Sequence, residues 1–590
     1  MTATHSEIRA TLATDPAYAL SLAQARLSEA KHDAEAHRLA GRALRALGRT
    51  EEASRAELAA IDAAVHDPIL ARAAFALAEN RLHEAEPALR AQLKDNPFDV
   101  AAIRMLAEVA GRIGRYGDAE KLLRRALDLA PDFIAARANL ATALYRQNKT
   151  AAALEELDRL VDDDPASPGH ALLRAAVLGR AGDFAEAIAL YEDVLPRVPG
   201  HPKIWMSYGH ALKTVGRQAD AIAAYRRAVA LRPAFGEAWW SIANLKTARL
   251  DEADLAAMAD GMADPSASAD DRMHLHFATA KALEDAGEPR SAFDHYVTAN
   301  DLPRALLPWD ADALSRTVDG MIALFDAVFF AARGGLGDPS ADPVFIVGLP
   351  RAGSTLLEQI LASHSCIEGT MELPDMPALV AELGREGDWS ELLAGLPPHR
   401  LAELGAAYLD RARIQRRENK PLFIDKLPNN WLHLGLIHLI LPNARIVDAR
   451  RHPLDCGWSN FRQHFARGQA FAYDLADIGR YYADYVRLMA HFDRVLPGRG
   501  ARVIHEHLLD DPEGETRALL AALDLPFEPA CLRFHESERA VRTASSEQVR
   551  RPINRDGQGA WLPVEDRLGP LIAALGPVLE HYPQVPPGVA

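Results

Sequence analysis

The sequence predicts a protein of two parts, an all-α array of helical repeats followed by an α/β unit with a parallel sheet. Three observations support this fold class. A repeat of constant period runs through the first half of the chain. A break rich in Gly, Pro and Ser follows at 333–343, and beyond it short apolar runs alternate with helical stretches. The first of these runs, Val344–Val347, is followed by a glycine-containing turn and a helical pattern, which predicts strand, tight loop and helix.

The repeat has a period of 34 residues, held five times in register. A Gly or Asn, an Ala five residues later and a Pro twelve residues after that recur at Asn80, Gly114, Asn148, Gly182 and Gly216; Ala85, Ala119, Ala153, Ala187 and Ala221; and Pro97, Pro131, Pro165, Pro199 and Pro233. The Gly or Asn suits the left-handed turn that ends one helix. The Ala lets the next helix approach closely, and the Pro stops it. This helix-turn-helix pattern resembles the tetratricopeptide (TPR) repeat.

An earlier unit is indicated at Gly48 and Ala53, and a last, irregular one at Gly287 and Ala292. We therefore predict a TPR-repeat domain over 1–304, a connecting segment over 305–342 and an α/β domain over 343–590. Repeat arrays of this kind usually bind a peptide or protein on a concave surface, so we expect such a partner. Four aromatic residues either face that surface or pack between repeats: Trp205, Tyr208, Trp239 and Trp240.

Bulk composition excludes several classes of protein. The net charge of −16 over 590 residues argues against a nucleic-acid partner. The chain has three cysteines, Cys366, Cys456 and Cys531, without a C-x-x-C spacing, so neither a disulfide framework nor a zinc site is expected. The first fifteen residues lack the apolar core of a signal peptide, and no apolar run reaches transmembrane length. We predict a cytoplasmic protein without a membrane partner.

The turn after the first strand has the spacing of a phosphate-binding loop. Gly348 and Gly353 are five apart and Thr355 follows, as in the P-loop G-x-x-x-x-G-K-[ST]. Ser354 stands where that motif has its lysine, and a positive charge lies inside the loop as Arg351. Loop amides and a helix N-terminus converge on an anion in this geometry. The alternative is a turn that needs its glycines only for tightness.

Further polar residues follow predicted strands or stand near them. The other candidate strands are Leu422–Asp425, Arg445–Ala449 and Arg502–His505, with helices over stretches such as Asn430–Ile440 and Ile478–Val495. Lys426 and Arg451 each follow a strand, at the sheet edge where open α/β sheets bind ligands. Ser459 lies eight residues after Arg451, and Glu372 follows the loop helix in the segment Gly-Thr-Met-Glu-Leu-Pro.

Together these segments resemble sulfotransferases that use 3′-phosphoadenosine 5′-phosphosulfate (PAPS), in particular the tyrosylprotein-sulfotransferase branch and bacterial TPR-sulfotransferases. The resemblance covers roughly Asp342 to Leu571 and implies a P-loop-type parallel sheet, the sulfotransferase fold. It implies that Arg451 and Ser459 hold the donor's 3′-phosphate. It also implies that the loop holds the 5′-phosphate through Arg351, Ala352, Gly353, Ser354 and Thr355.

The same resemblance implies the catalytic groups. Glu372 matches the base that deprotonates the acceptor, and Lys426 matches the lysine that neutralises the leaving oxygen, with Ser545 assisting. Arg351 completes the charge around the transferring group. No metal ion is expected, because a sulfuryl group carries less negative charge than a phosphoryl group.

Two departures from the family pattern affect these expectations. The family usually has Lys or Arg before the Trp that corresponds to Trp561, and this chain has Ala560. One expected phosphate contact is therefore missing, unless Arg550, Arg551 or Arg555 replaces it, and we include Arg551 in the donor site. No arginine follows Glu372 in Leu-Pro-Asp-Met-Pro, so specificity for acidic peptides does not carry over and the acceptor stays open.

Two other classes of function compete with sulfuryl transfer. A nucleotide-dependent kinase is disfavoured by Ser354 in place of the lysine. A TPR scaffold with an inactive nucleotide-binding domain is favoured only by Ala560. His505-Glu-His507 provides two alternating histidines, but the sequence indicates no third metal ligand.

Overall fold

The structure, a computed structural model, describes residues 3–245, 248–370, 372–384, 392–393, 395–465, 468–537, 539, 541 and 548–588. The chain divides into two compact units, Met1–Pro199 and Gly200–Ala590. Among the described residues, none of the helices is both long and apolar enough to cross a bilayer.

The first unit consists of helices that pack in sequence order. They are α1 (His5–Leu12), α2 (Pro16–Glu29), α3 (Ala34–Ala46), α4 (Thr50–Ala64), α5 (Pro68–Ala78), α6 (Leu82–Asp95), α7 (Val100–Arg112), α8 (Tyr116–Leu129), α9 (Ile134–Arg146), α10 (Thr150–Asp163), α11 (Pro168–Ala181) and α12 (Phe184–Val194). The side chains of Asp33, Asp67 and Asp99 cap α3, α5 and α7 by accepting hydrogen bonds from free amides of the first turn. The buried core is formed by small and branched residues such as Ala119, Leu123 and Leu140.

The residue pattern of the repeats is confirmed. Asn80, Gly114, Asn148 and Gly182 have left-handed backbones, with φ of 55°, 79°, 63° and 90°. The alanine five residues after each of them is buried, as expected where the second helix of a pair approaches the first. The pattern continues in the second unit at Gly216 and Gly287, with φ of 84° and 83°.

The second unit begins with further helices, in which the aromatic residues pack rather than face solvent. The helices are α13 (Pro202–Thr214), α14 (Gln218–Leu231), α15 (Gly236–Ala243), α16 (Glu252–Ala263), α17 (Ala269–Asp285), α18 (Pro289–Leu306), α19 (Ala311–Leu324) and α20 (Ala327–Arg333). Trp239 and Trp240 are buried, and Trp240 lies 5.3 Å from the ring of Phe277 on α17. Trp205 and Tyr208 are half-buried.

A parallel sheet of five strands follows. Its strands are β1 (Pro343–Gly348), β2 (Ile367–Gly369), β3 (Leu422–Asp425), β4 (Arg445–Arg450) and β5 (Gly500–Ile504), in the order β2-β3-β1-β4-β5. The four strands predicted from apolar runs are present within two residues of their expected bounds. β2 was not predicted, because it has three residues and its central Glu368 interrupts the apolar pattern.

Helices connect the strands and cover the sheet. They are α21 (Ser354–Ala362), α22 (Asp375–Gly384), α23 (Pro398–Ala412), α24 (Leu434–Ile440), α25 (Pro453–Phe461), α26 (Leu475–Val495), α27 (His505–Asp510), α28 (Pro512–Ala522), α29 (Gly569–Leu575) and α30 (Pro577–His581). Short 3₁₀ helices lie at Arg413–Gln415, Pro428–His433, Ala470–Tyr473, Pro529–Glu536, Gln548–Arg550 and Leu562–Arg567. The helix expected over 430–440 is therefore divided into a 3₁₀ segment and α24.

Helices α18 to α20 pack directly on the helices that cover the sheet. Asn300 of α18 donates to the carbonyl of Phe461 at the end of α25, at 2.9 Å. Ser315 of α19 donates to Asp484 of α26 at 2.7 Å. Phe325 is buried where a side chain on Gly435 of α24 would overlap its ring. The residues before 343 therefore share a core with the sheet.

This shared core predicts where the chain can be divided. A fragment from Gly200 to the end should fold cooperatively, whereas a fragment from Pro343 should lose most of its stability. Removing one large buried aromatic side chain costs about 3–5 kcal/mol, and the shorter fragment loses several, against a typical total of about 5–15 kcal/mol. Thermal unfolding followed by circular dichroism compares the two fragments with the full chain.

The domain boundary predicted at 342/343 stays a prediction, and the same experiment tests it. A Pro343 fragment that unfolds as cooperatively and at the same temperature as the Gly200 fragment would support that boundary and contradict the shared core.

Asp425, the last residue of β3, is fully buried. Burial raises the pKa of the Asp425 carboxyl to about 8, even though the Tyr408 hydroxyl donates to it at 2.8 Å. The ordinary pKa of Asp is about 3.9. The folded chain therefore keeps this carboxyl neutral over a pH range in which the unfolded chain ionises it.

We predict a pH-dependent effect of Asp425→Asn on stability. Between about pH 4 and pH 8 the unfolded wild type releases a proton that the folded wild type retains, so this group stabilises the fold less as pH rises. The variant lacks that dependence, so its free energy of unfolding should rise relative to wild type across this range. Urea unfolding at several pH values measures the difference, with the exposed Asp410→Asn as control. A difference that does not change with pH would contradict the assignment.

Candidate functional site

The loop between β1 and α21 is held by close backbone contacts. A Cβ on Gly348 would lie 2.3 Å from the carbonyl oxygen of Ala449 on β4, and one on Gly353 would lie 2.7 Å from Nδ1 of His505. Arg351 has a left-handed backbone, with φ of 70°, which is uncommon for a residue other than Gly. Asn460 of α25 donates to the carbonyl of Pro350 at 2.8 Å. The loop thus has one defined shape, ending at the start of α21.

Two arginines meet behind this loop. Nε of Arg351 donates to the hydroxyl of Ser459 at 3.0 Å. Arg451 donates through Nη1 to the carbonyl of Arg351 at 3.1 Å and through Nη2 to that of Gly557 at 2.5 Å. Among the described residues, the carboxylate oxygen nearest to the Arg451 guanidinium is that of Asp455, at 3.9 Å. The Arg451 guanidinium is therefore held mainly by neutral oxygens.

The arginines of this cluster repel one another. Burial, followed by the charges of Arg451 and Arg462, lowers the pKa of the Arg351 guanidinium to about 10. Nε of Arg451 is buried without a hydrogen-bond partner among the described residues. An anion at this point would supply the missing acceptor and relieve the repulsion between the arginines. The residues present therefore fit a phosphorylated ligand.

Two cavities share these arginines. The smaller, about 110 Å³, adds the loop residues Ser354 and Thr355 and apolar side chains such as Leu356 and Phe534. The larger, about 590 Å³, adds Ser459 and extends to α15, α17 and α18. Both are lined by Arg351, Arg451, Gln548, Arg551 and Gly557. The arginine cluster therefore lies where a small and a large cavity meet.

Lys426 and Glu372 meet at the neighbouring edge of the sheet. Lys426 directly follows β3, and its side chain is only 1% exposed. Its Nζ donates to Oε1 of Glu372 at 2.5 Å, whereas the Glu372 side chain is 46% exposed. A buried cation thus holds a carboxylate that solvent can reach, which is an arrangement suited to proton transfer with an incoming molecule.

The sequence-predicted residues divide between these two groups. The loop residues, Ala352 among them, lie with Arg451 and Ser459, and Glu372 lies with Lys426. Ser545 lies outside the described residues.

The three arginines considered as replacements for a basic residue at position 560 have different surroundings. Arg551 lines both cavities and pairs with Asp556 at 2.9 Å. Arg550 donates to the carbonyl of Thr214, and Arg555 pairs with Asp510. Of the three, Arg551 is therefore the one that lines the two cavities.

The nearby histidines have local structural roles. His364 is hydrogen-bonded to the carbonyl of Pro526 at 3.0 Å, and His452 stacks on Trp561. Burial lowers the pKa of His505 to about 4, so this ring is neutral against Gly353. No group of three or more metal-ligating side chains occurs among the residues the structure describes.

Sequence reasoning missed two charged residues beside Lys426. Glu358, one turn into α21, is buried with Oε2 at 4.0 Å from Nζ of Lys426. Arg539 donates to Oε1 of Glu358 at 2.5 Å and to the carbonyl of Thr370 at 2.8 Å. A carboxylate inside the apolar pattern of the loop helix was a usable signal for Glu358. Arg539 has no local motif, so only its tertiary contacts reveal it.

Comparison with known proteins matches family models to two parts of the chain. Residues 343–529 match the model of the Sulfotransferase family. Tetratricopeptide repeat models match 70–134, 112–177 and 172–237.

Three curated relatives are similar to part of this chain. An uncharacterized protein of Aquifex aeolicus is 33% identical over 322 residues, which is 53% of this chain, and the chain covers only 42% of that relative's length. A putative protein-tyrosine sulfotransferase of Caenorhabditis briggsae is 25% identical over 40% of this chain and 88% of its own length. Protein-tyrosine sulfotransferase 1 of Danio rerio is 25% identical over 40% of this chain and 71% of its own length. The chain therefore carries a domain of the sulfotransferase family, preceded by tetratricopeptide repeats.

Proposed function

We propose that the protein transfers a sulfuryl group from PAPS to a hydroxyl or similar nucleophile of an acceptor. The observation that carries this proposal is the arrangement of two groups at the carboxyl edge of the sheet. A cluster of arginines follows β1 and β4, and a Lys–Glu pair follows β3 and β2. The first suits the phosphates of a donor, and the second suits proton removal and charge stabilisation.

The donor supplies an activated sulfuryl group when it is bound. Arg451 and Ser459 are assigned to its 3′-phosphate, with Arg551 at the rim of the same cavities. The amides at the start of α21 and the hydroxyls of Ser354 and Thr355 are assigned to its 5′-phosphate. Arg351 lies between the two groups and adds positive charge to both.

Glu372 is proposed to take the proton of the acceptor's hydroxyl group while the acceptor oxygen forms a bond to sulfur. The bond from sulfur to the bridging oxygen of the donor breaks, and the electron pair stays on that oxygen. Lys426, with Ser545, neutralises the charge that develops there. As Glu372 becomes neutral, its attraction for the Lys426 ammonium falls, and the ammonium is released toward the leaving oxygen.

The kinase hypothesis has less support. An ATP-dependent enzyme needs an Asp near the loop to hold magnesium. Asp448, on the neighbouring β4, is bound by Arg450 and by Arg502 at 3.2 and 2.7 Å. Asp425, on the other neighbouring strand, is buried with a pKa raised to about 8. Neither carboxylate is available to a metal ion.

The tetratricopeptide repeats support a peptide or protein as acceptor or partner. Repeats of this kind bind extended segments, and the Danio rerio relative is named a protein-tyrosine sulfotransferase. We include a protein acceptor and a cytoplasmic location in the proposal. The three cysteines are unpaired, which suits a reducing compartment.

We predict that the donor site requires a 3′-phosphate. Calorimetry should show tighter binding of 3′,5′-adenosine bisphosphate than of 5′-AMP. Arg451→Ala should weaken binding of the bisphosphate by ~1.5–3 kcal/mol, as for a hydrogen bond to a charged group, and leave 5′-AMP nearly unaffected. Arg517→Ala, an exposed arginine paired with Glu513, is the control. Equal affinities of the wild type for the two nucleotides would contradict the assignment of Arg451 and Ser459.

We predict different defects for the two members of the Lys–Glu pair. Glu372→Gln keeps the shape and removes the base, so kcat should fall ~10²-fold with donor affinity unchanged. Lys426→Met should also lower kcat, because its charge is needed as the leaving oxygen develops. Turnover is measured from labelled PAPS with phenols as probe acceptors and labelled ATP as control.

An acidic phenol that is already ionised should partly restore turnover by Glu372→Gln and not by Lys426→Met. Near-normal turnover of Glu372→Gln with unactivated phenols would show that a group other than Glu372 is the base. Transfer of label from ATP instead of PAPS would contradict the proposed function itself.

A further inference from the structure

We infer that Arg539 and Glu358 are positioning residues that hold the Lys426–Glu372 pair in place, an inference that rests on the proposed function of that pair. They form a chain of alternating charges, from Glu372 to Lys426, to Glu358 and to Arg539. The chain closes on the carbonyl of Thr370, two residues before Glu372. Four side chains from four segments thus fix one short loop.

Arg539 lies directly against the backbone that it holds. A Cβ on Gly369 would be 2.6 Å from Cζ of Arg539, so the guanidinium fits there only because residue 369 has no side chain. On the opposite side, the hydroxyl of Thr370 donates to the carbonyl of Ile424 on β3. The segment that leads to Glu372 is therefore anchored both to β3 and, through Arg539 and Glu358, to the loop helix α21.

Burial makes the charges in this chain interdependent. The side chains of Lys426 and Glu358 are 1% and 3% exposed, and that of Arg539 is 18% exposed. A buried ion that loses its partner is left uncompensated, so its neighbours move to replace it. Among the described residues, loss of Arg539 would leave Lys426 as the cation beside Glu358, and this would draw the ammonium away from Glu372.

Glu358 also gives Lys426 a second counter-ion that is not used up in the reaction. When Glu372 accepts the acceptor's proton, its negative charge disappears. Glu358 keeps its charge, so the buried ammonium is never without a carboxylate nearby while it turns to the leaving oxygen. Glu358 is thus the constant partner of Lys426, and Glu372 is the one that changes during the cycle.

The test compares Arg539→Gln, Arg539→Lys and Glu358→Gln in the full-length chain. Arg411→Gln is the matched control, because Arg411 forms a more exposed ion pair with Glu382 at 2.8 Å. Hydrogen exchange is measured by mass spectrometry on peptides covering 366–373 and 344–357, which requires no catalysis. Turnover with PAPS and a phenol is measured in parallel.

In Arg539→Gln, exchange in 366–373 should rise ~10-fold while exchange in 344–357 is unchanged, since only the first segment loses its anchor. The kcat should fall ~10–100-fold with the KM for PAPS within ~2-fold of wild type, as expected when the base and not the donor site is misplaced. Arg539→Lys should recover part of both effects, and Arg411→Gln should show neither.

Arg539 and Glu358 act through one ion pair, so their effects should not add. The kcat of the double variant Glu358→Gln/Arg539→Gln should be no lower than that of the more impaired single variant. Additive losses, wild-type exchange in 366–373, or increased exchange with unchanged kcat would each overturn the inference. If Arg539→Gln does not fold, the inference is tested with Glu358→Gln by the same measurements, because this substitution keeps the shape of the side chain. A wild type that transfers no sulfuryl group would contradict the proposed function. The exchange data would still decide whether Arg539 and Glu358 hold the segment 366–373 in place.

Discussion

The site depends on two arginines that are held close together at the edge of the sheet. Arg451 is buried and Arg351 is half-buried, and Arg451 is held mainly by carbonyl oxygens, with Asp455 no closer than 3.9 Å. Holding these like charges close together is costly, because they repel each other. The lowered pKa of Arg351 expresses that cost. A bound polyanion relieves the repulsion between the arginines, and this favours the binding of an anionic donor.

The helices before the sheet support this cluster mechanically. α18 packs on α25, the helix that carries Ser459, through Asn300 and through stacking of Phe293 on Trp458. α25 in turn holds the loop through Asn460. Arg462, at the end of α25, is paired with Glu284 of α17. Residues from the last helical repeats therefore belong to the structural support of the anion site, and changes there are expected to reach the loop.

Local patterns in the sequence predicted the elements that have a short-range cause. The repeat spacing predicted the left-handed turns because few residues adopt that backbone, and the apolar runs predicted β1, β3 and β4. The loop and its arginines were predictable because they follow strands. Arg539 was not, because its role arises from contacts with Gly369 and Glu358, which are far away in the sequence. β2 was missed because it is short and Glu368 interrupts its apolar pattern. The packing of α18 to α20 on the helices that cover the sheet was missed because it joins residues far apart in the sequence.

The assignment of the donor site is tested most directly by a crystal structure of the protein with 3′,5′-adenosine bisphosphate bound. We expect the 3′-phosphate within hydrogen-bond distance of the Arg451 guanidinium and the Ser459 hydroxyl, where it would accept a hydrogen bond from Nε of Arg451. We expect the 5′-phosphate on the amides at the start of α21. A nucleotide bound elsewhere, or one whose 3′-phosphate points away from Arg451, would contradict the assignment.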